Sequence, residues 1–169
     1  MMGGPNIGLV LDPDLRQLDP GAQDLLSYWE SNRSPGGLPD RSAFDPLVLR
    51  RFLGNLLIAD VETAPSGDRR FRYRLIGTDL AEISGRDVTG RYFDDIYDPV
   101  ALAEMQHCFG WVLENRQPAR VFGTLRHANR AFLGFEGIFL PISTDGSDTA
   151  SQVIGYVSVN AHQNRKQPE

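Results

Sequence analysis

Between Phe71 and Phe93 the chain compresses a strand, a short helix and two glycine-marked turns into one tract, and this tract constrains the fold most. Phe71, Tyr73 and Leu75 alternate with Arg70, Arg72 and Arg74, the period of a half-buried strand with cations facing water. The strand turns at Gly77, where Thr78 or Asp79 can cap a short helix that carries Leu80, Ala81 and Ile83 on one side and ends at Gly85. Gly90 permits a second reversal before Tyr92 and Phe93. Such a segment builds one wall of a small cavity.

The remaining elements follow from caps and periodicity. Residues 1–18 read as a loosely docked arm. Asp19-Pro20 starts an amphipathic helix to about Asn32 that presents Leu25, Leu26, Tyr28 and Trp29. Asp45-Pro46 starts a second, short one through Leu49, Arg50 and Phe52, and Asp98-Pro99 starts the longest, reaching about Arg116 with Leu102, Met105, Phe109, Val112 and Leu113 on one stripe. Strands are expected at Asn55–Glu62, in the arginine-bearing tract, and at about Ala119–His127, Phe132–Ile142 and Gln152–Asn160. The fold class is therefore α+β: a five-stranded antiparallel sheet with helices inserted between strands 2 and 3, plus the N-terminal amphipathic helix. The organisation read from this is an arm and helix over residues 1–43, a domain over 44–160 and a flexible tail over 161–169.

One strand makes a further demand. Phe132, Ile138 and Leu140 share one face, and Leu133, Phe135 and Phe139 share the other, so both faces want burial. The inserted helices cover one. The other requires the helix at Asp19–Asn32, or a second copy of the chain in a homodimer through the outer sheet face or that helix.

The tracts Arg72-Tyr-Arg-Leu-Ile-Gly-Thr78, Gly85-Arg86 and Thr89-Gly-Arg-Tyr-Phe93, with the later Leu140-Pro141, give the chain its likeness to a known family. From about Phe44 to Asn160 it resembles a PAS domain, specifically the compact bacterial PAS-like proteins that often stand alone. The resemblance implies a sensor or interaction module of bacterial signalling, without catalysis, whose partner is a small molecule or a signalling protein. A ligand between sheet and helices would then be lined by Tyr73, Leu75, Leu80, Tyr92, Phe93, Met105, Phe109, Phe122 and Phe139.

Charge and composition narrow the partners. With 17 basic against 22 acidic residues, a net charge of -5 and a pI near 5.2, nothing favours nucleic acid phosphates or anionic lipid. Arg69, Arg70, Arg72 and Arg74 read as a solvated strand face. No apolar run of the ~20 residues needed to span a bilayer occurs, and the N-terminus lacks the apolar stretch of a secretory leader, so a cytoplasmic location is expected. The single cysteine excludes an internal disulfide.

No cofactor is expected. Haem would need an axial imidazole such as His107, which lies beside the apolar stripe of its helix. Among PAS relatives the flavin-reactive cysteine stands in an Asn-Cys-Arg-Phe-Leu-Gln motif on an earlier helix, whereas here Cys108 stands in His107-Cys-Phe-Gly-Trp111. The histidines at 107, 127 and 162 have no metal-ligand spacing. Asp94, Asp95 and Asp98 read as helix-start carboxylates. The alternative is a small enzyme using Asp94, Asp95, His107 or His127 in a curved-sheet pocket.

Overall fold

The computed structural model describes residues 8–84, 87–127 and 130–160, with the side chains at 83–84, 125–127, 130–133 and 160 excluded from that description. The expected helix end at Gly85, the Arg86 match, the faces assigned to Ile83, Phe132 and Leu133, the His127 side chain, His162 and the tail at 161–169 lie outside the described residues.

In chain order the elements are β1 (Leu9–Asp12), α1 (Pro20–Ser31), α2 (Pro46–Leu49), β2 (Leu56–Thr63), β3 (Arg69–Ile76), α3 (Thr78–Ser84), α4 (Phe93–Ile96), α5 (Pro99–Asn115), β4 (Ala119–His127), β5 (Arg130–Ile142) and β6 (Gln152–Asn160), with 3-10 turns at Arg41–Ala43 and Arg50–Phe52. The three Asp-Pro pairs act as read. Asp19 accepts from the Gly21 amide at 3.1 Å, Asp45 from Leu47 at 2.8 Å and Asp98 from Ala101 at 2.9 Å, so each caps its helix while proline occupies the first turn.

The strands form one antiparallel sheet in the order β1-β4-β5-β6-β2-β3. The α+β class stands, with α3, α4 and α5 inserted between the arginine-bearing strand and β4. The strand count is corrected from five to six. Residues read as part of an arm supply β1, which pairs Leu9 with Gly123 and Leu11 with Val121. A β-carbon on Gly123, whose φ is 142°, would overlap the Gly8 carbonyl, so the close approach of β1 depends on glycine there.

Each face of the sheet carries a buried cluster. The inner face packs against α3, α4 and α5 through a cluster that includes Phe71, Tyr73, Phe93, Met105, Cys108, Phe109 and Phe139. On the outer face α1 lies over β5 and β6, and its Leu25, Leu26 and Trp29 join Leu56, Ile58, Ile138, Leu140 and Ile154. Trp29 is 1 % exposed and donates from Nε1 to the Pro141 carbonyl at 2.8 Å, which satisfies its one polar atom in an apolar setting. The expected helix on the outer face is thus present within a single chain.

The start of α3 is held by a tight glycine contact. The Asp79 and Leu80 amides donate to the Gly54 carbonyl at 3.0 and 3.3 Å, satisfying free helix-start donors. A β-carbon on Gly77 would collide with the Leu53 carbonyl.

Candidate functional site

The interior between sheet and inserted helices is built of aromatic rings. Phe93, projected from α4, lies 4.4 Å from the Tyr73 ring, 5.1 Å from Phe109, 5.5 Å from Phe71 and 5.7 Å from Tyr97, measured between centroids. Phe109 from α5 continues the chain of contacts to Phe139 on β5 at 4.5 Å. These are packed ring pairs at ordinary contact separations.

Six of the nine residues expected to line a cavity meet in this cluster: Tyr73, Leu80, Phe93, Met105, Phe109 and Phe139. The other three do not. A bulge between Ile58 and Ala59 pairs Ile58 with Leu75 and Ala59 with Tyr73, leaving Arg74 as the extra residue, so Leu75 turns to the outer cluster. Tyr92 stays outside, its hydroxyl donating to Glu62 at 3.0 Å and its ring 3.4 Å below the Arg70 guanidinium. Phe122 shares the outer face of β4 with Arg120, which stacks 4.2 Å over its ring, because Ala119 and Val121 take the inner positions.

Tyr97 is the interior residue the reading missed. Its hydroxyl is 2.5 Å from that of Tyr73. The signal was its place one residue before the Asp98 cap, where an apolar side chain commonly packs onto the helix start. Burial pushes the Tyr73 phenol well above its ordinary range and Tyr97 up to about 12. Burial, and then the Glu104 carboxylate, push the Cys108 thiol up to about 12. These groups are neutral at ordinary pH.

The residues named for acid-base chemistry lie elsewhere. Asp94 and Asp95 face solvent and pair with Arg70 at 3.1 and 3.7 Å, and the Arg70 hydrogen bond holds the Asp94 carboxyl below the usual range. His107 is exposed. It lines an open cleft of about 560 Å³ between α5 and the turn into β3, with Asp68, Arg69, Trp111 and Glu114 but neither Asp94 nor Asp95. Among the described residues, no group of three or more His, Cys, Asp and Glu side chains is placed to hold a metal ion.

All four strand arginines have a carboxylate partner. Arg69 meets Glu114 at 2.8 Å, Arg70 meets Asp94, and Arg72 and Arg74 each lie 3.6 Å from Asp60. The solvated face expected from sequence is an ion-paired one.

A second concavity opens on the outer face, where α2 and the turn Arg50–Phe52 lie over β2 and β3. It measures about 260 Å³ and is lined by Leu47, Leu49, Leu53, Leu56, Ile58 and Leu75, with Arg41 and Arg50 as its charged residues.

Comparison with known proteins fits this architecture. A family model described as a PAS domain matches residues 18–158. The chain belongs to the PAS domain family. That match begins just before α1 and ends in β6. The fold is also similar to the structure of an RNA-binding light-oxygen-voltage receptor, at 17% identity and TM-score 0.51, covering 92% of this chain and 39% of that one. This chain therefore spans well under half the length of that receptor. Weaker likenesses join it to a light-oxygen-voltage domain studied with a flavin analogue (16% identity, TM-score 0.47, 69% and 84% covered) and a fungal LOV domain photoreceptor (16%, 0.46, 80% and 89%). No curated protein matches the chain. Among the described residues no helix is long and apolar enough to cross a membrane.

Proposed function

We propose that this PAS domain is a non-enzymatic regulatory module of bacterial signalling that acts by docking on a protein partner, its own side chains filling the sheet–helix interior. The observation that carries this reading is the ring cluster around Phe93, whose neighbours lie at 4.4 to 5.7 Å. A planar ligand between β3, β5 and α5 would need those rings to part.

Flavin and haem fit the residues present poorly. Cys108 is wholly buried among packed side chains on α5, and the exposed His107 does not project into the aromatic cluster. The absence of resident cofactor chemistry belongs to the proposal. So does the absence of catalysis, which the separation of Asp94 and Asp95 from the His107 cleft supports.

The net charge of -5 supports a protein partner over nucleic acid or anionic membrane, and a cytoplasmic site of action belongs to the same proposal. A homodimer belongs to the same reading. Trp29 is already covered by its own sheet, so the strip left for a second copy is the outer face of β1 and β4, with Val10 51 % exposed beside the half-buried Phe122. Any partner must prefer one arrangement of the sheet and its helices for a signal to pass.

Absorption spectra and a thermal-shift panel of metabolites, flavins and haem test the reading on the purified protein. The expected result is no band beyond the aromatic region and no shift above about 1 °C. A cofactor band or a saturable shift of several degrees would replace the partner-docking form with a small-molecule sensor.

A further inference from the structure

Resting on that reading, we infer that the groove between α2 and the β2–β3 end of the outer sheet face is the docking site for an acidic amphipathic protein segment, apolar side chains seated among the leucines and flanking carboxylates meeting Arg41 and Arg50.

Three features select this occupant. The first is an apolar floor with unsealed lips. Leu49, Leu56 and Ile58 are at most 4 % exposed, whereas Leu47 and Leu53 at the margin are 72 % and 40 % exposed. Exposed lips are buried by a body larger than the groove, as when an amphipathic helix lays its anchors into an apolar trough. The volume agrees. At about 260 Å³ the groove falls below the roughly 300–1,000 Å³ of pockets that enclose a drug-sized molecule, and suits a few side chains of a segment that continues beyond it.

The second feature is charge. Every charged residue lining the groove is an arginine. Nearby Arg72 and Arg74 share Asp60, but among the described residues neither Arg41 nor Arg50 has an ion pair or a side-chain hydrogen bond. The neighbouring Asp45 carboxylate caps α2 through the Leu47 amide at 2.8 Å and forms no ion pair with either arginine. Two uncompensated guanidinium groups on a chain of net charge -5 form a local cationic rim, and guanidinium matches carboxylate in planar, paired geometry.

The third feature is symmetry. A two-fold contact through this patch would set Arg41 and Arg50 of one copy against those of the other. Like charge therefore favours a different, acidic partner here and leaves self-association to the β1–β4 strip.

The test is fluorescence anisotropy on the full chain with a labelled sixteen-residue helical peptide carrying leucine at positions i, i+3, i+4 and i+7 and glutamate on the flanks. A matched peptide with lysine for glutamate, and dodecanoate as competitor, complete the set. The glutamate peptide is expected to bind, with affinity falling as salt rises, and the lysine peptide at least about tenfold more weakly. Arg41→Glu, at a half-buried position, with Arg50→Glu, at an exposed one, should reverse that preference, and Leu53→Asp should weaken both peptides. Arg51→Ala, which alters the side chain stacked on Phe52, should change nothing. Failure of the glutamate peptide to bind, equal binding of both peptides, or full displacement by dodecanoate would overturn the assignment. So would a groove-dependent dimer, abolished by Leu53→Asp. A retained small molecule or a thermal shift bears instead on the interior, so the two ideas fail separately.

Discussion

The sheet face beneath α3, α4 and α5 packs Phe71, Tyr73, Phe93, Phe109 and Phe139 into one connected ring network, whereas the outer face sets Leu25, Leu56, Ile58, Ile138, Leu140 and Ile154 among Trp29, Phe44 and Phe52. The outer side is closed over β5 and β6 by one regular helix, α1, and near β2 by α2 and the turn Arg50–Phe52. The inner side is closed by the short α3 and α4 together with the long α5, and the rings pack between these helices and the sheet. It also keeps a polar pair, Tyr73 and Tyr97. On the proposed reading the contrast puts a partner on the outer face, where α1 covers β5 and β6 and leaves uncovered the groove over β2 and β3 and the strip along β1 and β4.

Large truncations break the comparison most directly. Trp29→Ala should lower stability by about 3–5 kcal/mol, because a cavity forms and the Pro141 carbonyl loses its donor. Phe93→Ala should cost a similar amount, read by urea denaturation. A much smaller loss at Phe93 alone would mean that the inner face is loosely filled. Gly155→Ala sharpens the same point, since its β-carbon would stand 2.8 Å from the Phe139 ring. A loss of about 1–3 kcal/mol is expected for a tightly packed ring, and a smaller one, left by the Ile138 carbonyl 3.0 Å away, if Phe139 can move aside.

Tyr97→Phe should cost about 1–3 kcal/mol by orphaning the buried Tyr73 hydroxyl. The pair also sets a pH dependence. Both phenols have folded-state pKa values above the unfolded value of about 10, so their contribution is complete below that pH and is lost as pH rises toward 12. Denaturation midpoints from pH 8 to 12 should fall over that window, less steeply in Tyr97→Phe. The smallest effect is expected at the surface: Arg69→Ala removes an exposed pair with Glu114 and should change stability by less than about 1 kcal/mol.

Much of the fold was legible because its signals are local. The three Asp-Pro caps, the alternation Phe71-Arg72-Tyr73 and the long stripe of α5 each depend on residues within a turn or two, and each appears where expected. What was missed depends on distant backbone. The pairing of β1 requires a glycine more than a hundred residues later to admit it. Leu75 changes face because Arg74 is extruded as a bulge, which alternation cannot announce. Phe122 follows an equally apolar Val121, so only the register with β5 decides which of the two turns inward. The groove was invisible for the same reason: Leu47 and Leu53 read as ordinary apolar residues until the sheet edge beneath them leaves their lips uncovered.

Native mass spectrometry of the protein purified without denaturation tests the central claim most directly, that the interior is occupied by the chain itself. The expected spectrum holds only the mass of the polypeptide and its whole-number multiples. A stoichiometric additional mass of a few hundred daltons, lost on unfolding, would contradict it.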